Sequence, residues 1–481
     1  MPITGTFPSQ AELDRVAREY ELFALFTGKD VDTDRKSDRW KFRLKEFFEG
    51  DEQKAKLLDV ALNVASTCVQ AGTDFLLSEP PKIEAVENED AQKVIDAIIE
   101  RNSLIRRLAE SCDLAQAVGH THFKLYSQNS EAFIEEVPYL YCYPDWSGAP
   151  HGGEPRGYRF ASYLTAENGN VTEKYILVED RRMESGKLVI EWGLYEDQGG
   201  KIGNQVELSK LGIVRDGTPS GLSVIQQTEF EDLMVVSLNM RKTTLDRYGR
   251  STLENVKPLL RELNDRLTQI SLQFLKHLNA KIQMPSGTVV RERDGSIKAQ
   301  KIEVILMEQG MPDAKYVTND NPLIEQAFEH IEKVIRKICK LTQTPDSFLT
   351  EDEKGGVEKA ESLKVRLMAF LKRVRFLQSV YDEAIRKIMQ LALTIEGKSD
   401  VKIKTTFDPG LPKDWEVDGR VWGDAKAAGL ASRRTAVMKF QGIDGEALDE
   451  EIAAIEDEEK ALQESLLAMN EPTEDDPPPK E

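Results

Sequence analysis

Apolar positions recur with a helical period along the second half of the chain. Leu253, Val256, Leu260, Leu263, Leu267, Ile270 and Phe274 are separated by alternating steps of three and four, a 3.5-residue rhythm that lays a narrow seam down one helix. Ala360, Leu363, Leu367, Phe370, Val374, Leu377 and Tyr381 repeat it. That pattern extends toward Ile395 and predicts a helix on the order of 55 Å long at the usual rise per residue. Between the two, Asn321-Pro322 opens a further helix with Ile324, Phe328, Ile331, Ile335, Ile338 and Leu341 in its stripe. The first helix carries a capping-box pair, Ser251 with Glu254; Pro258 is expected to kink it or delay its start, and its end is expected near Met284-Pro285. From Ser286 to Thr318 the text turns strand-like: Thr288-Val289-Val290, a turn at Asp294-Gly295, then Ile302 with Val304 to Leu306, and Tyr316-Val317 after Gly310 and Pro312. A polar run from Gln343 to Gly356 ends the second helix; it is long enough to project from the body, and its glycines suit a hinge. Seams of this kind need a neighbouring helix. Rods of this length suit a subunit that stands beside copies of itself in a ring, although the same spacing also serves packing within one chain.

The first half reads as helices followed by strands. Ser9 and Glu12 resemble a capping box ahead of Leu13, Val16, Tyr20 and Phe23, and Asp51 to Leu77 reads as one helix with Leu58, Ala61, Leu62, Ala65, Cys68 and Val69 on its stripe. Helices follow over Asp90 to Glu100 and Ser103 to Val118. After Gly119 the pattern alternates through Phe123 to Tyr126, Phe133 to Tyr143, Tyr158 to Leu164, Tyr175 to Val178 and Leu188 to Tyr195, with turns at Gly148, Gly152, Gly153, Gly199 and Gly200. The expected result is an α+β domain with an antiparallel sheet from about residue 38 to about residue 245.

Composition narrows the class. With 481 residues and a hydrophobic fraction of 40%, the chain is expected to form several domains, and no run of eighteen apolar residues or basic-then-apolar start marks a membrane span or signal peptide. Cys68, Cys112, Cys142 and Cys339 are scattered without metal-ligand spacing and fit reduced, buried thiols. The net charge of −20 is uneven: residues 441–481 hold 15 acidic against 2 basic residues, whereas residues 241–281 hold nine basic against four acidic, and residues 357–393 eight against four. Two of the long helices therefore tolerate a polyanion nearby. Catalytic signals are missing from the text: His120 and His122 lack a nearby third ligand and read as structural, and Gly199-Gly200-Lys201-Ile202-Gly203 lacks the Gly-Lys-Ser/Thr ending of a phosphate loop and reads as a hairpin turn. No cofactor, metal site or catalytic residue is expected.

The order of elements, with several short motifs, resembles the portal proteins of tailed bacteriophages, in particular the branch typified by the portal of a Bacillus siphophage. The motifs are Gly249-Arg250-Ser251-Thr252-Leu253-Glu254 at a helix start, Leu263-Asn264-Asp265-Arg266-Leu267 within it, Phe407-Asp408-Pro409 after the longest helix, Gly429-Leu430-Ala431-Ser432-Arg433-Arg434-Thr435, and the acidic run from Glu446 to Glu464. Glycine enrichment from Gly148 to Gly153 and Pro258 depart from the family's pattern.

This resemblance implies a portal-like α+β fold: N-terminal helices and an α+β wing over residues 1–250, a first stem helix at 251–284, a β clip at 285–320, and a second stem helix at 321–342. It further implies a tunnel loop at 343–356, a long wing helix at 357–396, a return to the wing at 397–425, a helical crown at 426–470 and an acidic tail at 471–481. It implies a ring of about twelve copies at one capsid vertex in the virion, passing double-stranded DNA and docking the terminase large subunit and then a head–tail adaptor, with major capsid and scaffolding proteins as neighbours. No membrane is involved. Channel contacts would come from Lys333, Arg336, Lys337 and Lys340, and the loop would present Thr344, Pro345, Asp346, Ser347, Lys354, Gly355 and Gly356. Arg291, Arg293, Lys298 and Lys301 would serve docking at the clip. Such basic residues are ordinarily solvated or paired with carboxylates, so each is weighed against that reading. The rival functions are a non-catalytic minor capsid or head–tail connector protein and, in another class, a packaging nuclease.

Overall fold

Capping residues divide the N-terminal quarter. In a computed structural model, which describes residues 7–29, 38–147, 153–168, 171–208, 225–244, 246–278, 282–285, 304–307, 315–316, 322–349, 360–407, 415–443 and 445–469, Ser9 caps helix α1 (Gln10–Thr27). Its hydroxyl accepts the Glu12 N–H at 3.3 Å. The capping pair is where the sequence places it, but the buried face differs. Arg15, Glu19, Leu22 and Leu25 turn inward, whereas Tyr20 is exposed.

Helix α2 (Asp38–Phe48) has no counterpart in the sequence reading, and the single helix expected from Asp51 to Leu77 is two, α3 (Glu52–Leu58) and α4 (Val64–Leu76). The intervening residues 59–63 lie on a later helix. The Leu62 N–H donates to Asn264 Oδ1 at 2.9 Å and the Val60 N–H to Thr268 Oγ1 at 3.1 Å, while Asp59 pairs with buried Arg43. Two backbone donors that a continuous helix would satisfy internally, those of Val60 and Leu62, are satisfied by these side chains instead. Asn63 then caps α4 by accepting the Ser66 N–H at 3.1 Å.

After strand β1 (Lys82–Ala85) come α5 (Glu89–Asn102) and α6 (Leu104–Val118), within two residues of expectation. The alternating region gives β2 (His120–Gln128), β3 (Glu131–Val137), β4 (Cys142–Asp145), β5 (Gly157–Asn168), β6 (Val171–Glu184), β7 (Lys187–Asp197), β8 (Ile202–Val206), β9 (Ile225–Gln227) and β10 (Val235–Asn239). These strands form two antiparallel sheets instead of one, in the orders β10-β2-β3 and β4-β5-β6-β7-β8, with β9 against β7. Arg181 on β6 ties the sheets together: it is 2% exposed, pairs with Glu179 at 2.6 Å, and donates to the carbonyls of Leu125 at 2.9 Å and Met234 at 3.0 Å. Gly199 and Gly200, both in the left-handed region, close the β7–β8 hairpin as expected, while Gly148 and Gly152 lie outside the described residues.

In the second half, α7 (Lys257–Leu278) starts later than its capping pair suggests. Ser251 binds the Leu253 N–H at 2.9 Å and the Ala117 carbonyl, tying a turn to the end of α6, and Pro258 sits in the first helical turn, where its missing N–H costs nothing. Pro258 delays the helix. The Met284-Pro285 pair belongs to a strand and not to the end of that helix: β11 (Ile282–Pro285) lies between β12 (Val304–Met307), which is parallel to it, and β13 (Lys315–Tyr316), which is antiparallel. The expected strand Thr288–Val290 and the turn at Asp294-Gly295 lie outside the described residues. Then come α8 (Pro322–Thr342), a single 3₁₀ turn at Asp346–Phe348, and α9 (Ala360–Ile395), whose 36 residues span about 54 Å. Strand β14 (Ile403–Thr406) pairs antiparallel with β1.

Two compact units result, residues 1–357 with 364–410 and residues 358–363 with 411–481. The first holds two main cores. In one, α5, α6 and the β10-β2-β3 sheet pack on α9 through Ile95, Leu108, Phe123, Val236, Tyr381 and Ile385; in the other, α1, α4 and α7 pack on α8 through Leu22, Val69, Leu260, Leu263, Ile335 and Ile338. The α7 seam is consumed inside the chain. From Leu253 to Ile270 it faces the chain's own helices, so it does not serve a second copy, and only Phe274 remains exposed, beside the exposed Phe328 at 6.2 Å. The second unit contains α10 (Trp415–Ala427), α11 (Arg433–Gln441) and α12 (Gly445–Met469). Ser432 caps α11 by accepting the Thr435 N–H at 3.1 Å, which is the Gly-x-x-Ser-x-x-Thr start read from the sequence, and Arg433 grips Glu459 of the acidic helix through two bonds of 2.7 and 2.9 Å.

Candidate functional site

Helix α8 separates its faces by residue type. Ile331, Val334, Ile335, Ile338 and Cys339 are buried against α7 and its neighbours, and this places Lys333, Arg336, Lys337 and Lys340 together on the exposed side. Two of the stripe residues read from the sequence, Phe328 and Leu341, are exposed, because the true apolar face runs through Val334 and Cys339. The four cations are not equivalent. Lys333 pairs with Glu329 at 3.0 Å and Arg336 with Glu332 at 3.5 Å, one turn back along the helix, whereas Lys337 and Lys340 have no carboxylate within 4.0 Å among the described residues. Charge therefore changes along the helix from mixed to positive, and its C-terminal end, where backbone carbonyls favour cations, is the positive one.

The loop that follows α8 is rooted by a buried arginine. Arg373 of α9 is 4% exposed and donates four bonds: Nη1 to the Thr342 carbonyl at 2.9 Å and Thr344 Oγ1 at 3.1 Å, Nη2 to the Cys68 carbonyl at 2.8 Å and Gln116 Oε1 at 2.6 Å. One side chain thus joins α4, α6, the end of α8 and α9. Burial lowers its pKa to about 10, with Arg241 adding to the effect, so it stays charged at neutral pH. Gly72 leaves the room: a Cβ there would lie 2.4 Å from Gln116 Oε1 and 3.1 Å from Arg373 Nη2. Thr344 is therefore an anchor and not a solvent-facing contact, because it is 5% exposed and its hydroxyl is bonded to Thr342 and Arg373. Ser347 and Asp346 are exposed and Pro345 is half-buried, while Phe348 stacks on Phe75 at 6.0 Å. Lys354, Gly355 and Gly356, and the clip residues Arg291, Arg293, Lys298 and Lys301, lie outside the described residues.

His120 and His122 point the same way, as alternation requires, and are wholly buried in a relay that also takes in the unexpected inner face of α1. Tyr158 bonds Ser237 at 2.8 Å, Ser237 bonds His122 Nδ1 at 2.9 Å, His122 Nε2 meets His120 Nδ1 at 3.1 Å, and His120 Nε2 meets Glu19 Oε1 at 2.9 Å. The other Glu19 oxygen accepts from Arg15 at 2.6 Å. With Glu19 ionised, each donor in the series finds one acceptor only if both rings are neutral and carry their proton on Nε2. Burial lowers the His120 pKa to about 3 and holds that of His122 well below its usual range, and it raises Glu19 to about 7 against the pull of Arg15. These histidines belong to the packing of the fold. Periodicity gave no sign of Arg15, Glu19 or Arg373 as inward residues, because each is held inside by at least one partner far away in sequence: Cys142 for Arg15, His120 for Glu19, Cys68 and Gln116 for Arg373.

A family model described as "Phage portal protein, SPP1 Gp6-like" matches residues 28–465. Among solved structures, a chain from the neck of an empty GTA particle computed with C6 symmetry aligns at 12% identity and TM-score 0.46, covering 81% of this chain and 92% of that one. A chain from the virion of a native gene transfer agent particle aligns at 13% identity and TM-score 0.44, covering 85% and 94%. No curated protein matches.

Proposed function

This chain belongs to the SPP1 Gp6-like phage portal proteins, non-catalytic virion components that form the ring at the capsid vertex through which DNA is packaged, and on that premise we propose that the exposed basic face of α8 lines the passage. The observation that carries the reading is the arrangement of α7 and α8: two long helices pack on one another, with a three-stranded β module between them in sequence, and α8 presents Lys337 and Lys340 outward without carboxylate partners among the described residues. In portal terms α7 and α8 are the stem, the β module of β11, β12 and β13 is the clip, residues 343–356 are the tunnel loop rooted on Arg373, α9 is the long wing helix, and α11 and α12 form the crown. Twelve copies, or about that number, enclose the duplex. The clip receives the terminase large subunit during packaging and a head–tail adaptor afterwards, with major capsid and scaffolding proteins around the rim.

DNA must slide through such a ring. Phosphate contacts from isolated lysines are sequence-independent and exchange readily, whereas bidentate readout of bases would arrest the duplex. Lys333 and Arg336 are already held by glutamates and so contribute less, which leaves Lys337 and Lys340 as the principal contacts of each copy. A Lys337→Glu/Lys340→Glu phage is expected to assemble heads but package DNA at a rate reduced by an order of magnitude or so, with the defect deepening at low ionic strength. Wild-type packaging by that double variant would overturn the assignment of α8 to the passage.

A further inference from the structure

Four arginines among the described residues are buried, and three of them have a carboxylate. Arg15 pairs with Glu12 and Glu19, Arg43 with Asp59 and Asp265, and Arg181 with Glu179. Arg373 is the exception: all four of its bonds go to neutral oxygens. It lines a cavity of about 270 Å³ together with Arg241 and Arg250, and no Asp or Glu is among the described residues of that wall. Among the described residues the Arg241 side chain donates to Gln343 Oε1, at 3.2 Å, and lies over the Phe376 ring at 5.0 Å, while Arg250 is exposed at the same cavity. Asn255 and Gln343 add amide groups. Three guanidinium charges around one space repel one another unless an anion sits between them; Arg373, with both Nη groups committed to those four bonds, contributes charge, while Arg241 and Arg250 offer the planar forks that match the two oxygens of a carboxylate.

We infer that this cavity is a socket for an Asp or Glu side chain of a second copy of the chain, the neighbouring subunit in the ring. The inference rests on ring formation by the portal family. Charge supports the choice of occupant, because acidic residues outnumber basic ones 84 to 64 along the chain, so carboxylates are the plentiful charged groups a neighbouring copy has to offer. A DNA phosphate fits the requirement of the portal poorly, since a three-arginine grip would hold the duplex where it has to move.

The test uses the full chain. Wild type is assembled into rings and followed by mass photometry, alongside Arg241→Glu and Arg250→Glu, both of which leave Arg373 and its bonds intact. Each variant is expected to raise the protomer concentration needed for half-assembly at least tenfold while its monomer melts as wild type does. Independently, p-benzoylphenylalanine in place of Asn255 is photolysed in rings built from mixed ¹⁴N and ¹⁵N chains. Cross-links joining a light to a heavy chain at a peptide containing Asp or Glu are the expected result. Rings of both variants forming at the wild-type concentration would overturn the socket, as would cross-links confined to single chains, which would assign the cavity to the chain's own Glu351, Asp352 or Glu353. A wild-type chain that never forms rings would instead remove the premise drawn from the family, a distinct failure that takes the socket with it.

Discussion

Single residues set the chemistry of the interior, and two of them give measurable consequences. Gly72 stands inside α4 against Gln116 and Arg373, where replacement by alanine would ordinarily add up to about 1 kcal/mol through better helix propensity. Here the added methyl meets a glutamine oxygen that cannot swing away without breaking its bond to Arg373, so Gly72→Ala is expected to destabilise by about 1–3 kcal/mol, read as a lower melting temperature. The histidine relay gives a pH dependence with a definite sign. His120 and His122 are held neutral, so their contribution is complete above pH 6.5 and is lost as pH falls, for His120 toward about 3. Glu19 works the other way, complete below pH 4.5 and lost as pH rises to about 7. Denaturation curves between pH 6.5 and 4.5 should therefore show a His122→Gln variant losing stability less steeply than wild type by about 1.4 kcal/mol per pH unit, one proton's worth. An unchanged slope would mean that His122 already takes up a proton in the native state. The two histidines were legible as structural, but their partner Glu19 and the Gly72–Arg373 contact were not: the period of α1 favoured Tyr20 and Phe23, and the distant His120 draws Glu19 inward together with Arg15.

Elements were read more surely where the apolar period is long. Helices α8 and α9 are present where long apolar periods predict them, because both patterns persist for many turns. The helix expected from Asp51 to Leu77 broke because Asn264 and Thr268 capture the backbone of residues 60 and 62, a long-range competition invisible to local periodicity. Strand β11 was taken for the tail of α7 since Ile282 to Pro285 are too few to declare a period. The α7 seam itself was legible but its partner was not: 3–4 spacing does not say whether the facing helix belongs to the same chain. Leu263 is fully buried in that seam, so Leu263→Ala is expected to cost about 2–5 kcal/mol in the isolated protomer, measurable by chemical denaturation. A seam reserved for ring contacts would instead leave the protomer unaffected and weaken only the ring.

At the scale of the whole molecule, the sequence identified the family and the α+β class, while the chain's folding decides which of its charges remain available. Nine basic residues between 241 and 281 and eight between 357 and 393 looked like two positive rods, yet Arg373 is committed to the interior, and Lys257 and Arg261 are spent on Glu21. The face left open is narrower and sits toward the end of α8. Arg373 has a further bearing on mechanics. It rivets the first residues after α8 to three other helices, and Phe348, stacked on Phe75 and edge-on to Phe370, pins the segment a second time, so a load applied beyond Phe348 is delivered to the body through these two fastenings in turn.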